Sequence, residues 1–239
     1  MSSKRTAEAA ILGAFIATGL VVSGYLVSSA ALKVKRMDRV VTVKGLAERE
    51  VEANVAIWPI TFNEASNDLS SLYSVIERKS RLVVAFLKKN GFSDNEITTS
   101  LPAINDRQAQ SYGNVGTIKF RYAAVTTITV YSNKVSLVRD TMRKVVELVK
   151  DGIAISGDNY EKKPQFLYTE LNKVKPAMIE EATKNARKVA VKFAKDSGSR
   201  LGRIKRASQG QFSISDRDAS TQYIKKVRVV STVTYYLSD

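Results

Sequence analysis

Glu48, Glu50 and Glu52 stand at alternate positions in the segment VTVKGLAEREVEANVAIWPITF, residues 41–62. In an extended strand, side chains two apart share a face, so the three carboxylates would point the same way. Such a set could hold a hard cation such as calcium or magnesium, or supply an acid–base pair. The polar elbow of a hairpin between two apolar strands, with Arg49 offsetting part of the charge, accounts for the same residues without a ligand. No catalytic, metal-binding or cofactor-binding residue is therefore assigned.

The rest of the composition narrows the chemistry further. The 239 residues include no His and no Cys. That removes Ser-His-Asp and Cys-His catalysis, disulfides, and zinc or haem ligation through those residues. Neither GxxxxGK[ST] nor GxGxxG occurs, and Gly113 and Gly116 in SYGNVGT read as turn glycines. Ser and Lys are plentiful, but their abundance alone does not mark a nucleophile pair.

Basic residues form the other pattern with chemical meaning. The net charge is +15, which favours anionic surfaces. Lys4, Arg5, Lys33, Lys35 and Arg36 against Glu8 put +4 on residues 1–36 and leave +11 on the rest. Periodicity predicts a helix over about Val174–Asp196. Around it Met178, Ala182, Ala186, Val189, Ala190 and Phe193 share one face, and Lys184, Lys188, Lys192 and Lys195 lie almost opposite. With Arg200, Arg203, Lys205 and Arg206 beyond, this is a candidate face for anionic lipid, cell-wall polymer or nucleic acid. A solvated helix back that keeps a basic protein soluble reads the same residues more simply. No helix-turn-helix, zinc finger or RNP-type motif accompanies it, so no specific nucleic acid is expected.

Residues 9–32 carry no charge. As a helix this run would be about 36 Å long, enough for a hydrocarbon core of roughly 30 Å. Residues 1–36 are therefore expected to form an N-terminal membrane anchor. A signal peptide cut near Ser29-Ala30-Ala31 is the alternative, against which the apolar run is long. Ala10, Gly13, Ala17, Gly24 and Ser28 recur at spacings of three, four and seven, a candidate seam for packing against another helix. The cationic C-terminal flank by itself would keep the following domain in the cytoplasm, whereas N-terminal anchors more often export it.

Residues 37–239 read as one α+β domain, mainly antiparallel sheet with three packed helices, preceded by the transmembrane helix. Strands are expected near Val40–Ala47, Val51–Asn63, Ile97–Asn105, Ile118–Tyr131, Ile153–Ser156, Pro164–Glu170, Leu201–Ser213 and Tyr223–Leu237. A switch of apolar phase at Pro59 predicts a bulge or an edge strand. A helix capped by Asn67 or Asp68 should bury Leu69, Leu72, Tyr73, Ile76, Val83, Phe86 and Leu87 and stop at Asn90-Gly91. A second, Lys134–Lys150, should bury Val138, Met142, Val145 and Val149 and stop at Asp151-Gly152. The third is the basic-faced helix, ending near Gly198.

Val43-x-Gly45, Ala47-Glu48-Arg49 and Val51, followed by EEATKNARKVAVKFAKDSG and the closing KVRVVSTVTYYL, resemble the SIMPL domain over residues 40–239. This bacterial envelope family is best known through oxidative-stress-defence and periplasmic immunogenic proteins. The resemblance implies an envelope protein on the outer face of the inner membrane, often self-associating and with no assigned reaction, and so favours export of the domain; an enzyme is not expected. Asn54 stands where relatives often carry Asp, and no catalytic role is carried over. The expected function is a membrane-anchored periplasmic SIMPL-type protein that acts by self-assembly and binding, possible stress defence included, as a homo-oligomer without cofactor. A basic module binding an anionic envelope surface is the alternative.

Overall fold

The structure is a computed structural model that describes residues 2–37, 39–109, 119–156 and 163–238, the side chains of 2–12 and 31–37 excepted. Gly113, Gly116 and Ile118 lie outside the described residues. Helix α1 spans Ser2–Met37. The chain divides into two compact units: Met1–Glu48 with Lys175–Phe212 and Arg228–Asp239, and Arg49–Val174 with Ser213–Val227.

The second unit is built on a five-stranded antiparallel sheet. Its strands are β2 (Val55–Ser66), β3 (Ile97–Thr99), β4 (Ala103–Asp106), β5 (Tyr122–Ser132) and β6 (Gln165–Leu167). Their order is β3-β5-β2-β6, with β4 also on β5. The expected strand over Ile97–Asn105 is split at Ser100–Pro102, where the Ser100 hydroxyl and amide both donate to Thr127 O. Proline has no N–H to continue the ladder. Helix α2 (Leu69–Lys89) begins at Asp68, whose carboxylate accepts from Ser71 N at 2.7 Å. Asn67 instead accepts from Arg121 N. Leu72, Ile76, Val83, Phe86 and Leu87 are buried, but Leu69 and Tyr73 are exposed.

The expected Lys134–Lys150 helix is two helices, α3 (Val135–Arg143) and α4 (Val146–Lys150). The break turns the phase of the second, so Leu148 is buried and Val149 exposed; Met142 and Val145 are half-buried. The core gathers Trp58, Ile60, Phe62, Phe86, Leu87, Ile128, Val138, Leu148 and Ile153.

Strand β2 corrects the reading of Pro59. Its register with β5 runs from Ala56↔Ser132 to Ser66↔Tyr122 without a shift, so there is no bulge there. On the other side β6 reaches only Ile57. Pro59 thus sits in a stretch that has one strand neighbour, where a missing N–H costs no ladder bond. Even positions (Ala56, Trp58, Ile60, Phe62) face the core throughout; Ile57 gives way to Trp58, which has more apolar surface to bury.

In the first unit, helix α5 (Leu171–Asp196) packs from Lys175 onward on strand β1 (Val40–Glu52) as far as Glu48. The four-stranded sheet containing β1 has order β1-β9-β7, with β8 also on β9. Its other strands are β7 (Arg200–Gln209), β8 (Ser213–Asp216) and β9 (Ile224–Ser238). The bond from Leu237 N to Arg39 O and the Thr42–Thr234 hydroxyl pair at 2.9 Å show that β1 and β9 run antiparallel. β1 alternates as period two demands: Val43, Gly45 and Ala47 are buried, Thr42, Lys44 and Leu46 exposed.

A Cβ on Gly45 would fall 1.9 Å from Ala182 O and 2.4 Å from Ala186 N. Only hydrogen fits at that crossing. The helix answers with small residues, burying Ala182, Ala186, Ala190 and Ala194 beyond Met178. These lie four apart, a ridge that winds slowly around the helix, which therefore crosses the sheet obliquely. Val189 and Phe193, expected in this core, are consequently off the contact line and exposed, Phe193 by 57%.

The largest departure is at the carboxylate segment. The chain does not turn at Glu48–Glu50: β1 continues through Glu52, and the turn falls at Ala53-Asn54. Nor do β1 and β2 form a hairpin, since β1 pairs with β9 and β2 with β5 and β6. Ala53 N donates to Tyr223 O and Asn54 N to Leu167 O, so this corner is held by strands distant in sequence. The expected helix stops do hold. After α2, α4 and α5 the chain passes through Gly91, Gly152 and Gly198 at positive φ. Each time the following amide bonds back to Leu87, Leu148 or Ala194, the Schellman arrangement.

Candidate functional site

Each candidate site can now be placed. Along β1, Glu48, Glu50 and Glu52 are all exposed and share a side of the strand. They do not converge, because side chains two apart in a strand stand about 7 Å from each other. Glu48 meets Arg228 Nε at 3.4 Å and Glu50 meets Arg217 Nη1 at 3.5 Å. These are solvated ion pairs of small energetic weight. Among the described residues no group of three or more carboxylates could hold a metal ion.

Asn54, where relatives often carry Asp, fastens the corner. Its Nδ2 donates to Thr169 Oγ1 at 2.9 Å and its Oδ1 accepts from Thr169 N at 2.8 Å. An amide can do both at once, whereas a carboxylate can only accept. The geometry assigns Asn54 to architecture.

The lysine face is present as a face. Lys184, Lys188, Lys192 and Lys195 are all exposed along α5. Lys184 bonds to Glu180 at 2.5 Å, one turn earlier. That hydrogen bond and the attraction between the charges hold the Glu180 carboxyl below its ordinary range and raise the Lys184 ammonium. Lys188, Lys192 and Lys195 form no ion pair among the described residues, so their charge is available to an outside partner. Asn185, beside them, donates to Leu46 O at 2.9 Å and helps hold the helix on β1.

Helix α1 is the one helix among the described residues long and apolar enough to cross a membrane, over Gly13–Ala30. Phe15, Val21 and Tyr25 are about three-quarters exposed, and Leu20 and Val27 about two-thirds. Two of its hydroxyls donate within the helix, Thr18 to Ala14 O and Ser29 to Leu26 O, which lowers the cost of taking those two groups into hydrocarbon. Gly13, Ala17, Gly24 and Ser28 are exposed, and a Cβ on Gly13 or Gly24 would meet nothing. The Ala10 side chain lies outside the described residues.

One concave feature was not legible in the sequence. A cleft of about 420 Å³ is lined by Arg139, Arg143 and Lys163 together with Phe166 and Tyr223. The residues come from α3, the approach to β6 and the loop before β9. No local spacing links segments so far apart, and the i, i+4 pair Arg139/Arg143 looks like any exposed helix face.

No curated protein matches the chain. Residues 41–235 match the model of the family described as SIMPL: Protein of unknown function (DUF541). That match takes in the close β1–α5 crossing at Gly45, the antiparallel sheets and the closing strand β9. The chain belongs to the SIMPL family.

Proposed function

We propose that this protein is a membrane-tethered assembly and binding component of the bacterial envelope, with residues 40–238 on the periplasmic side and several copies acting together. The observation that carries the reading is α1: a charge-free helical stretch whose described side chains lie in the open rather than in a core. Such a surface is stable in lipid or against another apolar helix, and costly in water. The stripe Gly13, Ala17, Gly24 and Ser28 would let two anchors approach closely. The end strands β1 and β7 offer backbone edges on which a second copy could pair. In this role the glutamates of β1 supply surface charge, no cofactor is required and no substrate is turned over. A contribution to stress defence would come from what the assembly holds.

Full-length protein in detergent, weighed by light scattering and cross-linked at several concentrations, should be oligomeric. A strict monomer throughout rejects the assembly. A reporter fused after Asp239 should be active in the periplasm; cytoplasmic activity reverses the topology.

A second reading rests on Lys188, Lys192 and Lys195, which supply exposed positive charge with no ion-pair partner among the described residues. In that reading α5 docks on anionic lipid or a cell-wall polymer, and its affinity falls steeply with salt. Changing Lys184, Lys188, Lys192 and Lys195 to Glu should abolish retention on phosphatidylglycerol vesicles. Unchanged retention rejects it.

A further inference from the structure

We infer that the second unit carries a binding site for a small organic anion, a phosphate or carboxylate borne on a planar apolar group, in the cleft lined by Arg139, Arg143 and Tyr223. This goes beyond the assembly role and does not depend on it.

Charge is the first reason. Arg139, Arg143 and Lys163 line the cleft, and no Asp or Glu does so among the described residues. Arg143 reaches Asp140 only at 3.6 Å, on an exposed turn. Arg139 makes no hydrogen bond or ion pair among the described residues; its contact is with a ring. Its guanidinium carbon stands 3.4 Å from the centre of Tyr223. Guanidinium stacked on an aromatic face keeps its N–H donors in its own plane, pointing past the ring edge, where they can fork an oxyanion. The stack also orients the fork before any ligand arrives, which lessens the entropy lost on binding.

Shape is the second reason. Phe166 meets Tyr223 edge to face, with ring centres 6.4 Å apart and planes at 74°. The two rings leave an apolar wall beside the cations. A volume of about 420 Å³ suits a small molecule rather than a bare ion.

Order in the loop leading to Tyr223 is the third. The loop carrying Ser220 and Gln222 is folded around Asp218, whose carboxylate accepts from Ser220 N and Thr221 N, each at 2.8 Å, and from Arg217 Nε at 2.9 Å. The Thr221 hydroxyl also donates to it. Led by that hydroxyl and by Arg217, these bonds hold the Asp218 carboxyl far below its ordinary range. Asp218 is engaged within its own loop rather than with Arg139 or Arg143. The cleft is thus cationic, bordered by two rings and formed in advance.

Full-length protein in detergent, titrated calorimetrically with phenyl phosphate and separately with inorganic phosphate, tests this. Phenyl phosphate should bind saturably and about tenfold or more tighter than inorganic phosphate. Arg139→Gln should weaken phenyl phosphate about tenfold or more. Arg139→Lys should recover only part of the loss, since it keeps the charge without the fork. Tyr223→Leu should bring the two ligands closer together in affinity. Melting curves of each variant confirm that it folds. Competition by a short-chain phosphatidic acid would make a lipid headgroup the source of the phosphate; failure to compete would make it a soluble anion. No saturable binding at millimolar phenyl phosphate, equal affinity for the two phosphates, or a folded Arg139→Gln variant that binds like the parent overturns the inference. Oligomeric state enters none of these readouts, so the site and the assembly can fail separately.

Discussion

The two units hold a helix on a sheet by opposite means. In the first, α5 meets β1 through Gly45, Ala182 and Ala186, with backbone nearly touching backbone. In the second, α2 and the α3–α4 pair bring Phe86, Leu87 and Leu148 over Trp58, Ile60, Phe62 and Ile128, side chains that fill a deep layer. The first contact gains from close approach and many small dispersion contacts, the second from apolar area removed from water. The difference teaches where each unit is fragile: the first should fail when volume is added and the second when volume is removed.

The sharpest way to break that contrast is Gly45→Val. The new atoms would land on the Ala182 carbonyl and the Ala186 amide, backbone that cannot rotate aside. We expect a loss of more than about 4 kcal/mol, enough to stop the first unit from folding. Circular dichroism melting would read it, with Gly19→Val in α1, where a Cβ meets nothing within 4 Å, as the control. A melting curve unchanged by Gly45→Val would refute the close crossing.

Next in size is Phe62→Ala. Phe62 is fully buried at the centre of the second core, and emptying such a site costs about 3–5 kcal/mol. Urea unfolding should show the loss. A cost below about 1 kcal/mol would mean that this core is loose and the contrast false.

A smaller, pH-dependent effect is expected at Glu96. Burial pushes this carboxyl up, but bonds from the Ser132 hydroxyl, from the Ser93 amide and hydroxyl, and from Lys134 more than reverse it, to about 2 from 4.5. A carboxyl lowered on folding stabilises the protein fully above pH 4.5. That stabilisation is lost as pH falls towards 2. Glu96→Gln should lower stability at pH 7 and flatten the acid side of the stability curve over that window. Parallel curves for parent and variant would show that the network contributes nothing.

The smallest effect is at Tyr235, in the first unit. Its hydroxyl is buried, and no partner is found for it among the described residues. Removing an unsatisfied buried hydroxyl leaves no hydrogen bond to lose. Tyr235→Phe should therefore change the melting temperature little, or raise it. A loss of more than about 1 kcal/mol would place a hidden partner in the small-residue layer.

Much of this was legible locally. The three glycine stops, the Asp68 cap, the alternation of β1 and the charge-free stretch of α1 follow from chemistry within a few residues, which is the range over which caps, strand pleat and helix periodicity act. The lysine face of α5 was legible for the same reason. Val189 and Phe193 were misplaced because periodicity defines a face but not the angle at which the helix crosses its sheet. That angle is set by Gly45, more than 130 positions earlier in the chain. The carboxylate segment was read as an elbow because charge clusters suit turns. What keeps it extended is β9, whose strand accompanies β1 through Glu52, and the hydrogen bonds that Tyr223 and Leu167 accept at the corner.

Composition alone decided which reactions this protein has no residues for, and the uncharged run decided that one helix is apolar enough for lipid. Both are properties of residue types, independent of how the chain folds. Which strands pair, which side of α5 is covered, and that Arg139 stacks on Tyr223 in a cleft that no described carboxylate lines were decided only in three dimensions. Pairing partners and cleft walls are brought together by contacts between residues far apart in the chain, and such contacts leave no mark on local spacing.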